Sequence, residues 1–141
     1  MIMTKLLVRK IVIILSLSAY LYLLKLNAIF INGDKIPSYM IAIIGWTSIF
    51  ISIGNFSWIA NPIYFLALWN FSKNRLTKAI LQCFSSFVLG ISLTIFDTIA
   101  INESGALSKI TSFEMGYWIW ISCFFCTFVT MLIYKWTVKT E

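Results

Sequence analysis

The chain has no histidine and only five acidic residues, and charged side chains make up 11% of its 141 positions. Each scarcity excludes something. Without histidine, the commonest metal ligand and the commonest general base are missing. No Walker loop, G-x-S-x-G, H-E-x-x-H or carboxylate-rich metal motif is present. No catalytic, cofactor-binding or metal-ligating residue is therefore nominated, and no cofactor is expected. A soluble domain of this size needs roughly a quarter of its residues charged to cover its surface. Lipid is the solvent that accepts what remains uncovered. The three cysteines, Cys83, Cys123 and Cys126, form an odd set inside apolar runs, which argues against a disulfide framework.

What is abundant is apolar: 60% hydrophobic residues, 17% aromatic. Apolar runs of about 20 residues read as membrane spans. The net charge of +6 has its basic residues at the ends of these runs. That is a topological pattern, with no basic helix interleaved with aromatics, so nucleic acid is excluded as a partner.

Four spans follow, giving an all-α four-helix membrane bundle: 11–31, 39–71 interrupted near 54–62, 79–97 and 114–134. The first resembles a signal peptide in its basic start and apolar core, but no A-x-A site follows, so it reads as an uncleaved anchor. Lys25 falls in its outer third, on a face with Ser18 and Tyr22. A charge there either snorkels or pairs with an acid. Residues 32–38 form a polar turn, with Ser38 placed to cap the next helix.

The run 39–71 would be about 50 Å long as one helix, against a hydrocarbon core of about 30 Å. Gly54, Asn55 and Ser57 are poor helix-interior residues, and Asn61-Pro62 fits an N-cap followed by a first-turn proline. Two pieces are expected, about 39–53 and 61–72, the first lying as an arm in the outer leaflet or forming the upper half of a proline-kinked, strongly tilted span. The third span carries a stripe of Gln82, Ser86, Gly90, Thr94 and Asp97, a helix-packing face. Residues 98–113 read as a polar loop. On the last span Ser122, Cys123, Cys126, Thr127 and Thr130 are expected to face inward, and Phe124, Phe125, Phe128 and Leu132 outward. Tyr117, Trp118 and Trp120 at one end, and Tyr134 and Trp136 at the other, form aromatic belts.

Charge orients the bundle. Lys5, Arg9, Lys10, Lys73, Arg75, Lys78, Lys135 and Lys139 gather on one side, which places both termini in the cytoplasm. The other side receives Lys35, Lys109, Asp34, Asp97, Glu103 and Glu114. Snorkelling to the outer headgroups is the plainer reading of Lys25; Asp97 and Glu114 lie near its depth, so Lys25–Asp97 or Lys25–Glu114 is the candidate ion pair that would fix the spans. Cys123-Phe124-Phe125-Cys126 is a CxxC at membrane depth. Quinone-linked four-helix oxidoreductases need further redox cysteines in an outer loop, so this pair reads as packing. Small four-helix multidrug exporters need a carboxylate in their first span, where this chain has Lys25.

Gly45-Trp46, Trp58-x-Ala60-Asn61-Pro62 and Gly116-Tyr117-Trp118-x-Trp120 together resemble a family of small uncharacterised bacterial inner-membrane proteins with four spans. The resemblance implies a bacterial cytoplasmic membrane and brings no catalytic residue with it. The function expected is non-enzymatic: an accessory, assembly or immunity-type protein acting through helix contacts with a membrane-protein partner or a second copy. A small oligomeric transporter or channel subunit is the alternative.

Overall fold

In the computed structural model, which describes residues 2–96, 98–100 and 106–139, helices predominate and a four-stranded antiparallel sheet closes one end of them. Helix α1 spans Ile2–Leu23, strands β1 and β2 span Asn27–Ile31 and Asp34–Pro37, and helix α2 spans Ser38–Ser48. A 3₁₀-helix, Gly54–Ile59, leads into α3, Ala60–Ser72. Then come α4 (Leu76–Ser92), β3 (Thr98–Ala100), β4 (Leu107–Phe113) and α5 (Met115–Lys139).

The sheet corrects the all-α expectation. Helix α1 ends at Leu23, closed by tight turns from the Lys25 N–H to the Tyr22 carbonyl and from the Leu26 N–H to the Leu23 carbonyl. The apolar residues 27–31 that look like a continuation of the span are a strand. Asn32 and Gly33 have φ of 52° and 96°, the left-handed pair of a two-residue hairpin turn, and Ile31 therefore lies opposite Asp34. Residues 98–100 and 107–113, expected as loop, supply β3 and β4. The strand order is β2-β1-β4-β3. Ala28, Ile29, Ile31, Ile99 and Ile110 are buried and join one core with the helices.

The α-helical path of the second run is interrupted from residue 49 to Ile59, by a turn at 49–53 and then by the 3₁₀-helix Gly54–Ile59, so the interruption begins earlier than expected and contains Gly54, and Asn61 and Pro62 follow it in the first turn of α3. Gly54 also permits close approach, because a Cβ there would sit 2.5 Å from the Thr98 carbonyl oxygen. Pro62 falls in the first turn of α3, where a missing N–H is tolerated.

Helices α1, α3, α4 and α5 pack in a ring, α1 against α3 and α5, and α4 against the same two. Arg9 donates to the Ser72 carbonyl, Tyr134 to the Lys5 carbonyl and Lys135 to Thr77. The start of α1, the α3–α4 turn and the end of α5 therefore meet at one end, opposite the sheet. Among the described residues, two helices are long and apolar enough to cross a membrane, over Lys5–Leu23 and Met115–Val138. The 13 residues of α3 extend about 20 Å, and the six 3₁₀ residues ahead of them add about 12 Å.

Polarity is arranged inside out. On α1 the buried residues are Ser16, Tyr20 and Leu23, whereas Leu7, Ile14, Leu15 and Leu21 are exposed. The segment α2 and its following turn expose Tyr39, Ile43, Trp46 and Phe50, the last at 94%.

One contact ties the sheet to the 3₁₀-helix. The Asn55 amide donates to the Ala100 carbonyl and accepts from the Ala100 N–H, both at 2.9 Å. Replacing Asn55 by Ala removes both bonds at a buried site, at a cost of about 1–3 kcal/mol. The expected readout is a lower unfolding midpoint in detergent together with faster amide exchange at Ala100. Unchanged exchange at Ala100 contradicts the assignment.

Candidate functional site

The densest set of buried polar groups lies where α1, α3 and α5 meet. Its centre is Asn61, in the first turn of α3. The helix is entered from the 3₁₀ segment, with Ile59 at the N-cap position and no side-chain cap. The Asn61 side chain is consequently free of backbone duty and turns inward. Its Oδ1 accepts from Tyr20 Oη of α1 and from Trp120 Nε1 of α5, each at 2.8 Å. A carbonyl oxygen has two lone pairs, and both are engaged.

One turn further along α3, Tyr64 is fully buried and forms a second tie. Its hydroxyl lies 3.1 Å from Thr127 Oγ1 and 3.2 Å from Cys123 Sγ. Thr127 also meets Ser16 Oγ at 2.8 Å, and Cys123 Sγ donates to the Ser16 carbonyl. Helix periodicity produces the two levels: Ser16 and Tyr20 are four apart, Asn61 and Tyr64 three apart, and Trp120, Cys123 and Thr127 follow at three and four. Aromatic rings fill the space between, with Trp58 5.6 Å from Trp120, Trp120 5.0 Å from Phe124 and Phe124 4.7 Å from Tyr64. The members are hydroxyls, an amide, an indole and a thiol. Such a set orients helices and holds no charged acid or base for proton transfer.

Beside Asn61 and Trp120, towards the sheet, is a cavity of about 20 Å³, also lined by Ser38, Tyr117 and Gly116. It has room for about one or two waters. Ser38 does not cap α2; its hydroxyl is buried and unpartnered beside this space. A Cβ on Gly116 would come 2.4 Å from that hydroxyl.

Of the two candidate pairings, Lys25–Asp97 falls outside the described residues, and in place of Lys25 another lysine meets Glu114. Glu114 meets Lys35 at 3.6 Å, and Lys25 is exposed in the turn beyond α1. Asp97 lies outside the described residues, as does Glu103. The Lys35–Glu114 pair fits β2 to the start of α5 because β1, hydrogen-bonded on both sides, lies between β2 and β4. Of the third-span stripe, Ser86 and Gly90 are buried, and Gln82 accepts from Asn70 of α3 at 2.9 Å. Thr94 is exposed, beyond the end of α4.

On α5 the inward face is set by Tyr117, Trp120, Phe124, Thr127, Met131 and Tyr134. Cys123 and Thr127 face inward as expected from their polarity, but Ser122 and Cys126 are exposed and Phe124 is fully buried. Burial area decides: a phenyl ring fills the space between α3 and α5, and a serine hydroxyl satisfies itself elsewhere. Tyr117, Trp120 and Tyr134 are likewise core residues, leaving Trp118 and Trp136 exposed near the helix ends. Both cysteines of the CxxC are free thiols, Cys123 buried and Cys126 exposed.

Sequence reasoning passed over Tyr20 and Tyr64 and assigned Asn61 to a cap. The available signal was the rarity of amides in the apolar runs. Asn55, Asn61 and Asn70 each make a long-range or inter-element bond, as side-chain amides in apolar surroundings must.

No family model, characterised protein or solved structure matches the chain.

Replacing Asn61 by Leu leaves the Tyr20 hydroxyl and the Trp120 indole without their acceptor. Each orphaned donor costs about 1–3 kcal/mol. Tyr20→Phe removes one donor and leaves the acceptor partly satisfied, a loss of about 1 kcal/mol, the net worth of one typical hydrogen bond. Unfolding in mixed micelles orders these variants. Equal losses from both would show that the Asn61 carbonyl is not a shared acceptor.

Proposed function

We propose that this chain is a multi-pass protein of a bacterial cytoplasmic membrane, crossing four times with both termini cytoplasmic. It acts without catalysis, as an accessory, assembly or immunity-type protein that grips another membrane helix. The inside-out polarity supports the membrane placement. Exposed Leu and Ile side chains on α1 are costly in water and neutral in lipid, and the two hydrogen-bonded sets, Tyr20–Asn61–Trp120 and Ser16–Thr127–Tyr64, are the kind of glue that lipid-embedded bundles use. The combined length of the 3₁₀-helix and α3, about 32 Å, matches a hydrocarbon core of about 30 Å. The clustering of Lys5, Arg9, Lys73, Arg75 and Lys135 on segments that meet at one end supports the orientation.

The observation that carries the helix-gripping function is a groove of about 190 Å³ between α1 and α5. It is lined by Ser16, Ala19, Cys123, Cys126, Thr127 and Thr130, with Val12 and Leu15 at its edge. Small side chains let a third helix approach closely, which is the commonest basis of helix association in lipid. The resemblance of the Trp58-x-Ala60-Asn61-Pro62 and Gly116-Tyr117-Trp118-x-Trp120 patterns to small four-span inner-membrane proteins points the same way. The transporter alternative draws less support, because Gln82 is bonded to Asn70 and Ser86 to the helix backbone, so the α4 stripe is engaged in packing.

The test is purification from native membranes with identification of the bound polypeptide. Ala19→Phe and Cys126→Phe fill the groove from its two walls, and both positions are exposed, so folding is expected to persist. The bound polypeptide is lost from both variants and kept by Ile14→Phe, which changes an exposed position on α1 outside the groove. Retention by all three variants overturns the groove as the docking site. Reporter fusions at each end that are active only in the cytoplasm test the orientation, and an inactive reporter at either end rejects it.

A further inference from the structure

A second cavity, of about 140 Å³, lies under α2 at the sheet end. Its walls come from four elements: Ile36 of β2, Met40, Ile41 and Gly45 of α2, Asn55 and Trp58 of the 3₁₀-helix, and Ile99 and Ala100 of β3. The one polar side chain in that wall, Asn55, has its amide oxygen and nitrogen engaged by the Ala100 backbone, so the surface offered to a ligand is apolar. The volume is near that of engineered cavities of about 150 Å³ that stay dry and take up benzene-sized molecules. Its origin is visible in the packing. Gly45 brings α2 against the Trp58 ring so closely that a Cβ would sit 2.6 Å from it. That contact closes one side and leaves the space between α2 and β3 unfilled.

The cavity is continuous with an apolar exterior. Met40 lines it and is itself 42% exposed, beside exposed Tyr39, Ile43 and Trp46 on the same helix. Among the described residues the mouth is apolar, so a hydrocarbon chain lying along α2 reaches the cavity without leaving apolar surface.

We propose that this cavity receives the end of a hydrocarbon chain from a bilayer lipid, with Met40 at the entrance and Trp58 and Ile99 at the floor. The chain tip contributes the dispersion contacts that the lining lacks when the space is empty, and it fixes α2 over β3. The inference rests on the membrane reading given above.

The test uses the full-length protein in vesicles of phosphatidylcholine whose acyl chain carries a diazirine at its terminal carbon. After photolysis, labelled residues are mapped by peptide sequencing. The expected result is label on Ile36, Ile41, Trp58 or Ile99, which are inside the cavity, as well as on exposed α1 positions such as Ile14 and Leu21. Ala100→Phe fills the cavity from the β3 side and is expected to abolish label at the interior positions while label on α1 persists. Label on Ile14 and Leu21 but none on the four interior residues of the unaltered protein overturns the chain site and leaves the membrane reading standing. No label on α1 either overturns the membrane reading and the chain site with it. The unaltered protein therefore decides the matter even if Ala100→Phe fails to fold.

Discussion

The arrangement of the helices depends on one oxygen atom, Oδ1 of Asn61. Apolar helices in apolar surroundings gain little from choosing one register over another, because each slipped register buries similar area. A carbonyl that must receive Tyr20 from α1 and Trp120 from α5 removes that freedom, since both 2.8 Å bonds fail together when either helix slides. This matters most for α1. Its buried residues are Ser16, Tyr20 and Leu23, so two of its three inward anchors are hydrogen bonds. An average bond between membrane helices contributes only about 0.6 kcal/mol. Its weight here lies in selecting a single geometry. The Tyr64–Thr127–Ser16 tie one turn away repeats the selection at a second level, so α1 is held against rotation as well as translation.

The sheet solves a problem that the helices create. Four helices whose ends lie at one level leave unpaired backbone carbonyls and amides there. The chain passes from α1 into β1 and from β4 into α5, and the Glu114 N–H donates to the Ala28 carbonyl. The links between helices thus become a hydrogen-bonded lid in place of loops. Four of its strand isoleucines, Ile29, Ile31, Ile99 and Ile110, point back into the bundle core. The exposed Lys35–Glu114 pair at the same end contributes at most about 1 kcal/mol, as surface pairs do. The lid is held by its apolar face and by Asn55, whose amide takes the place of a neighbouring strand for Ala100.

How legible this was in the sequence differs by element. The apolar helices were legible because apolar content alone separates them from polar connections, and α3–turn–α4 and α5 stand close to where composition sets them. The strands were obscured by that same composition. Residues 27–31 are as apolar as the helix before them, and in a chain this hydrophobic the local pattern of β-branched residues carries less weight than run length. The informative mark was Asn32-Gly33, a two-residue hairpin turn that reads equally as a generic loop until its φ values are known. The polar site was obscured for another reason. Asparagine is read as a cap or a breaker because it competes with its own backbone, and that habit conceals its use as a buried acceptor. Asn61 sits in the right turn for a cap, but the 3₁₀-helix ahead of it already extends the helical path, so the cap position moves to Ile59. The lining of α5 was misassigned because polarity was given priority over volume. Phe124 enters the core since the aromatic column from Trp58 to Tyr64 needs a ring there, and Ser122 is left outside.

Close packing is distributed unevenly along the bundle. Gly45, Gly54 and Gly116 all lie towards the sheet, and at each the absent side chain admits a neighbour that a methyl group would strike: the Trp58 ring, the Thr98 carbonyl and the Ser38 hydroxyl. The same end contains the two cavities described above, with Ile41 and Trp58 in the walls of each. Tight backbone approaches and unfilled volume belong together: glycine lets backbones touch at one point, and the side chains around that point cannot then reach across the gap beside it. At the opposite end Phe71 and Tyr134 meet edge to face at 5.3 Å, and the bonds from Arg9 to the Ser72 carbonyl, from Tyr134 to the Lys5 carbonyl and from Lys135 to the Thr77 hydroxyl close the bundle. Free volume and exposed apolar surface therefore coincide at α2, which rests on the sheet and the 3₁₀-helix. That coincidence makes the sheet end, and Trp58 within it, the place where the fold has latitude to respond to whatever occupies it.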